Sequence, residues 1–170
     1  MQHPDKSEYA DFYAGYVSLV PEDDVVAAIE DQTTKTQKLL SALDDTGAAY
    51  RYAEGKWSIK EVLGHLTDAE RIFAVRALCI SRGETQPLPG FDENQYVREA
   101  SFDIWKLGDL VETYALVRRA TILLFRNISE EAWTRRGTAS DNPVTVRALA
   151  RIILGHERHH VKTLQERYGL

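Results

Sequence analysis

Three of the chain's five histidines fall within the six residues "HERHHV" at positions 156–161. Imidazole is both a transition-metal ligand and an acid–base group, so the direction each ring faces decides what the stretch can do. With Leu149 set at zero and about 100° per helical residue, His156 lies at about 340°, His160 at about 20° and His159 at about 280°. Leu149, Ile152, Ile153 and Leu164 mark the apolar stripe, so His156 and His160 sit inside it, one turn apart, and His159 lies at its edge. An i, i+4 pair can present two imidazoles to one ion. The third ligand must come from elsewhere. His3 is near the terminus and is expected to be exposed. His65, in "EVLGHLTDAE", is flanked by Val62, Leu66 and Ala69 and faces the core, and Gly64 beside it admits a close neighbour. Burying three unpaired imidazoles costs several kcal/mol, and a shared metal ion is the simplest partner. The expected ligands are His65, His156 and His160.

"HERHH" also satisfies H-E-x-x-H, the helical zinc motif of many metalloproteases, with Glu157 as base. The motif is short, no third downstream ligand follows, and at about 80° Glu157 leaves the centre of the stripe. A protease reading is therefore not adopted.

The elements that must position these rings are helical. Tyr9, Phe12, Tyr13 and Tyr16 recur at helical spacing and predict a short helix or ordered strap over residues 1–21. Pro21 followed by Glu22, Asp23 and Asp24 reads as a helix start, and this first long helix runs to Leu43, where "DDTG" stops it. Ser58 and Glu61 form a capping box for the second, with Trp57 stapling it and Gly83 ending it. Its buried face is Ile59, Val62, Leu63, Leu66, Ala69, Phe73 and Leu78. "ETQPLPGFDENQYVREASFD" reads as a linker of about twenty residues, unusually long for a compact domain. A third helix, from about Trp105 to about Asn127, buries Leu110, Tyr114, Val117, Thr121 and Leu124. After a turn at "ISEEAW", "RGTASDNP" reads as a loop in which Asn142 caps and Pro143 opens the fourth helix. With no strand signal, the fold class is all-α, a four-helix bundle. His65 lies roughly 10 Å along its helix, and it meets His156 and His160 at one height only if the second and fourth helices are antiparallel. That requires an up-down-down-up order, with a long crossover between the second and third helices that the linker can span.

A chain of 170 residues with 44% apolar content suits one domain, residues 1–170. A net charge of −5 argues against a nucleic-acid partner, and no apolar run approaches a membrane span. No signal-peptide pattern opens the chain, and the single cysteine, Cys79, reads as a buried, inert thiol in a reducing compartment. The expectation is a soluble, cytoplasmic protein.

Three imidazoles leave at least one coordination position open, where an ion can lower the pKa of water or of a thiol. Activation of a small thiol for transfer to an electrophile leads the readings. Metal-dependent hydrolysis of a small ester or amide is the alternative, and a metal-stabilised binding module without turnover is a third. Asp68, one turn after His65, is either an acceptor for a ligand ring or a solvated helix residue. Asp92, Glu93 and Tyr96 in the crossover are candidates for an acid, a base or a lid, although turn formation alone explains Asp92. Gln32, Thr33 and Thr36 make the first helix's inner stripe polar, either as a wet pocket wall or as partners for buried groups. Arg71 and Arg76 could meet an anionic substrate, surface ion pairing being the simpler role.

"GKWSIKEVLGHLTDAER", "LPGFDENQYV", "TVRALARIILGHERHH" and the terminal "ERY" together resemble the DinB-like superfamily, the DinB/YfiT-type metalloenzymes, from about Tyr9 to Tyr168. The resemblance implies a four-helix bundle with one divalent ion, zinc or nickel, on His65, His156 and His160, and a homodimer. It also implies a small-molecule substrate, since characterised relatives include thiol transferases and isomerases using bacillithiol, mycothiol or glutathione.

Overall fold

The computed structural model describes residues 2–170. The predicted strap is present: turns of 3-10 helix at Lys6–Glu8 and Asp11–Tyr13 lead into α1 (Ala14–Ser18). The first long helix, α2 (Val25–Leu40), begins later than Pro21, because the Asp24 carboxylate accepts from the Ala27 N–H and caps it there. "DDTG" does more than stop a helix. Asp44 accepts from the Gly47 N–H at 2.7 Å and nucleates the short α3 (Asp45–Ala48). The Ser58–Glu61 capping box opens α4 (Ile59–Ser81), which ends at Gly83 with φ +88°.

The crossover is not structureless. It contains α5 (Glu93–Ala100), capped by Asp92, and a 3-10 turn at Phe102–Ile104. Helix α6 (Leu107–Arg126) and a 3-10 turn at Glu130–Thr134 follow. The expected "RGTASDNP" loop is instead a hairpin of β1 (Arg136–Ala139) and β2 (Asn142–Thr145). Ser140 and Asp141, at φ 49° and 60°, make its two-residue connection, the pairing that suits the twist of a hairpin. Pro143 is therefore a strand residue, and Thr145 caps α7 (Val146–Tyr168) by accepting from the Ala148 N–H. The hairpin anchors the crossover, since Leu88 exchanges backbone hydrogen bonds with Thr138 and Ser140. Among the described residues no helix is long and apolar enough to cross a membrane.

Contacts between helix ends give the order. Lys60, at the start of α4, donates to the Trp105 carbonyl just before α6, so these helices are parallel. The Tyr168 hydroxyl, at the end of α7, donates to the Trp57 carbonyl just before α4, so α4 and α7 are antiparallel. Glu30 near the start of α2 pairs with Arg126 at the end of α6. The bundle is up-down-down-up, as the height of the histidines requires, with the hairpin a minor addition.

Two apolar clusters fill it. One gathers Ile29, Phe73, Ile80, Phe125 and Ile152, and the other Leu40, Ile59, Leu63, Leu110 and Leu164. Between them along every long helix lies a polar layer: Thr36, His65, Glu70, Arg118, His156 and Glu157 are all buried. Three expected core residues fall elsewhere. Leu78 is exposed while Ala77 and Ile80 point inward, and Val117 and Leu124 are half-buried while Arg118, beside Val117, is buried. Cys79 is half-buried.

The strap covers the outer face of α7, so residues 148–157 are buried on every side. A Cβ on Gly155 would stand 2.0 Å from the Tyr16 carbonyl oxygen, so only glycine admits the strap this closely. Glu8 ties the strap down through Arg147 and Thr145, and Arg158 donates to the Leu19 carbonyl at 2.7 Å.

Candidate metal centre

His65 from α4 and His156 and His160 from α7 meet in the polar layer. The Nε2 atoms of His65 and His156 are 3.0 Å apart, and those of His156 and His160 are 3.1 Å apart. One nitrogen from each ring lies within 4.8 Å of the other two. Ligand nitrogens about 2.1 Å from a tetrahedral ion stand about 3.4 Å from one another, so the triangle fits a small divalent ion. Phe102 packs where a Cβ on Gly64 would be, at 2.4 Å, and so closes the α4 backbone beside His65.

Burial holds the His65 pKa down to about 4. Burial first, and then the neighbouring rings, hold His160 down to about 3 and His156 well below its ordinary value. All three are neutral at physiological pH, the form that ligates. His159 is exposed and stands outside the triangle, its ring 5.2 Å from that of His160 and 5.4 Å from that of Tyr16.

Hollows reach the cluster from both sides. A cavity of about 450 Å³ has His65 and His156 in its wall together with Phe12, Tyr13, Tyr16, Phe73, Phe91 and Glu93. Burial raises the pKa of Tyr13 and of Tyr16, so both remain protonated donors. A second hollow, of about 260 Å³, meets His160 from the other side and is lined by Tyr52, Lys56, Asn94, His159, Thr163 and Tyr168 among others.

The remaining candidates separate cleanly. Asp68 pairs with Arg71 at 2.8 Å and is a helix-surface group, not an acceptor for a histidine. Asp92 is the cap of α5, accepting from the Asn94 and Gln95 N–H groups. Tyr96 is exposed against Phe91 and lines a different, apolar hollow, so it does not reach the histidines' cavity. Of the crossover candidates only Glu93 lies in the wall of that cavity. Arg76 is buried and, among the described residues, forms no surface ion pair. It donates to the Pro89 carbonyl at 2.7 Å and to Ser140 Oγ at 2.9 Å, bracing crossover against hairpin.

Sequence reading missed a second buried cluster beside the first. Glu157 is wholly buried and bonded to other groups. Its carboxylate accepts from Thr36 Oγ1 at 2.7 Å and from the Tyr114 hydroxyl, and it pairs with Arg118 at 2.7 Å. Arg118 also pairs with Glu70 at 2.7 Å. Burial would lower the Arg118 pKa, but the two carboxylates raise it, while burial raises that of Glu70. The polar stripe of α2 is explained here: Thr36 serves Glu157, Gln32 bonds Thr36 and Arg158, and Thr33 bonds its own helix at the Ile29 carbonyl. The available signal was Arg118 itself, four residues after Tyr114 on the apolar stripe.

The chain is similar to several known proteins. A protein of Oceanobacillus iheyensis named as a candidate metal-dependent hydrolase is 20% identical over 133 residues, 78% of this chain and 77% of that one. YfiT of Bacillus subtilis, described as a probable metal-dependent hydrolase with an unusual four-helix bundle topology, superposes with a TM-score of 0.77 at 16% identity. That match covers 98% of this chain and 93% of YfiT. A mycothiol-dependent maleylpyruvate isomerase matches with a TM-score of 0.68 at 16% identity, over 85% of this chain and 61% of the isomerase. At such identities the structural likeness carries the fold. The family model described as the DinB superfamily matches residues 28–164, and the chain belongs to that superfamily.

Proposed function

We propose that His65, His156 and His160 hold one divalent ion, zinc or nickel, and that the chain uses it to transfer a low-molecular-weight thiol to a small electrophile. The observation that carries this is the convergence of three buried, neutral imidazoles whose Nε2 atoms meet one another at the wall of an aromatic cavity. A divalent ion with an open position supplies Lewis acidity there, enough to ionise a thiol or water near neutral pH. Glu157, the carboxylate next to His156, is committed to Arg118 and Tyr114, so a nucleophile that needs no separate base suits the site best. A thiol, which starts far closer to ionisation than water does, is the nucleophile that meets this condition most readily. Its proton leaves to solvent, its sulfur lone pair forms the bond to the electrophilic carbon, and the leaving group departs with its bonding pair. Tyr13 and Tyr16, protonated in the cavity wall, are placed to donate hydrogen bonds to that departing group.

Hydrolysis of a small ester or amide is the second reading. Glu93 favours it, as the cavity-wall carboxylate from which a proton could be taken from water, and so do the names of the Oceanobacillus and Bacillus relatives. Metal-loaded protein incubated with a thiol panel and 1-chloro-2,4-dinitrobenzene, and separately with p-nitrophenyl esters, distinguishes them. Conjugation that chelation and His156→Ala both abolish supports thiol transfer. Metal-dependent ester cleavage without conjugation replaces it by hydrolysis, and turnover of neither substrate with metal bound favours a non-catalytic module.

A further inference from the structure

We infer that the hollow on the His160 side is an anion-recognising subsite in which Lys56 receives a carboxylate of the thiol substrate, the aromatic cavity opposite being left to the apolar electrophile. The inference rests on the thiol-transfer reading above. The two hollows differ in the cation each offers. The aromatic cavity has the Glu93 carboxylate in its wall, and the Arg76 guanidinium behind that wall is packed over Phe73 and Phe91 and donates to the Pro89 carbonyl and Ser140 Oγ. The His160 hollow has Lys56 and no carboxylate in its lining. An anion therefore meets a carboxylate offset by a braced guanidinium on the first side and an uncompensated ammonium on the second.

Lys56 is also free to act. Its ammonium makes no ion pair among the described residues, whereas Lys60, four positions on, is buried and paired with Asp45 at 2.6 Å. The backbone at Lys56 is held: its carbonyl accepts from Arg51 Nη1 at 2.7 Å, its N–H donates to Ala53, and Gly55 makes the preceding turn at φ +71°. Tyr168 and Thr163 are already engaged with the Trp57 and His159 carbonyls, leaving the Lys56 ammonium, the Asn94 side-chain amide and the Tyr52 hydroxyl as donors without a hydrogen bond among the described residues. The ligand class this fits is a small thiol carrying a carboxylate within reach of its sulfur.

The test uses cobalt-loaded protein, in which thiolate coordination gives a charge-transfer absorption band that reads binding without turnover. The probes are 3-mercaptopropionate and its neutral amide, which differ only in charge. The wild-type protein is expected to bind the carboxylate about three- to fivefold more tightly, a preference that shrinks as salt rises. Lys56→Gln removes the preference while leaving affinity for the amide unchanged, and Lys56→Arg retains it. Equal binding of the two probes by the wild type, or an unchanged preference in Lys56→Gln, overturns the subsite. A cobalt-loaded protein that gives no new band with either thiol overturns the thiol reading itself, and the subsite with it.

Discussion

His156 and Glu157 are neighbours in the chain, both buried, yet they belong to polar clusters of opposite kinds. Around Glu157 the groups complement one another: a guanidinium between two carboxylates, with a phenol and a threonine hydroxyl completing the shell. Around His156 the groups are alike, three neutral rings whose Nε2 atoms meet only nitrogen. The chain itself largely completes the first cluster, although among the described residues Glu70 Oε1 and Arg118 Nε and Nη1 have no hydrogen-bond partner. On the proposed reading, the second is completed by a divalent ion. Buried polarity then serves structure in one place and metal binding in the other.

The same substitution at the two neighbours is the sharpest way to break that distinction. Glu157→Leu leaves Arg118 short of a partner in the core and is expected to destabilise the protein by about 3–5 kcal/mol in chemical denaturation. A cost below about 1 kcal/mol would mean that the network is not structural. His156→Leu, measured in chelator, is expected to leave stability unchanged or raised, because it removes a desolvated polar ring without stranding a charge. Its metal affinity, by titration calorimetry, falls by more than the roughly 100-fold that outer-shell changes produce. Tyr114→Phe removes one donor to Glu157 and should cost about 1–2 kcal/mol, with metal binding intact. A metal defect in that variant would join the two clusters into one.

The smallest effect lies in the strap. Glu8, held by Arg147 first and partly opposed by its own burial, has its pKa lowered from 4.5 to about 2. A carboxylate depressed on folding stabilises above its unfolded pKa and loses that contribution as pH falls toward the folded one. Hydrogen exchange in residues 5–20 should therefore rise between about pH 4.5 and 2 ahead of exchange in α4, and Glu8→Gln should show the rise already at neutral pH. Coincident exchange of strap and core would contradict this.

Much of the histidine cluster was legible because helical periodicity is local: one helix wheel divides His156 and His160 from His159, and an apolar frame marks His65. The up-down-down-up order followed from a single geometric demand, that those rings meet at one height. Glu157 was misjudged for a related reason. A wheel assumes one buried and one wet face, and the strap, 139 residues away in sequence where Tyr16 meets Gly155, buries residues 148–157 of α7 all round. Arg118 has no local signal of its acidic partners, which sit on two other helices. The hairpin's strands are four residues each, too short for alternation to register. Helix α5 has a single buried residue, Val97, and so gave no apolar stripe to read.

The metal content of reconstituted protein tests the central claim most directly. After loading with zinc or nickel and removal of excess, mass-spectrometric metal analysis should find one ion per chain in the wild type. None should remain in His65→Ala, His156→Ala or His160→Ala, and one should remain in His159→Ala. A full ion in His156→Ala, or its loss in His159→Ala alone, would contradict the assignment of these three rings as the metal site.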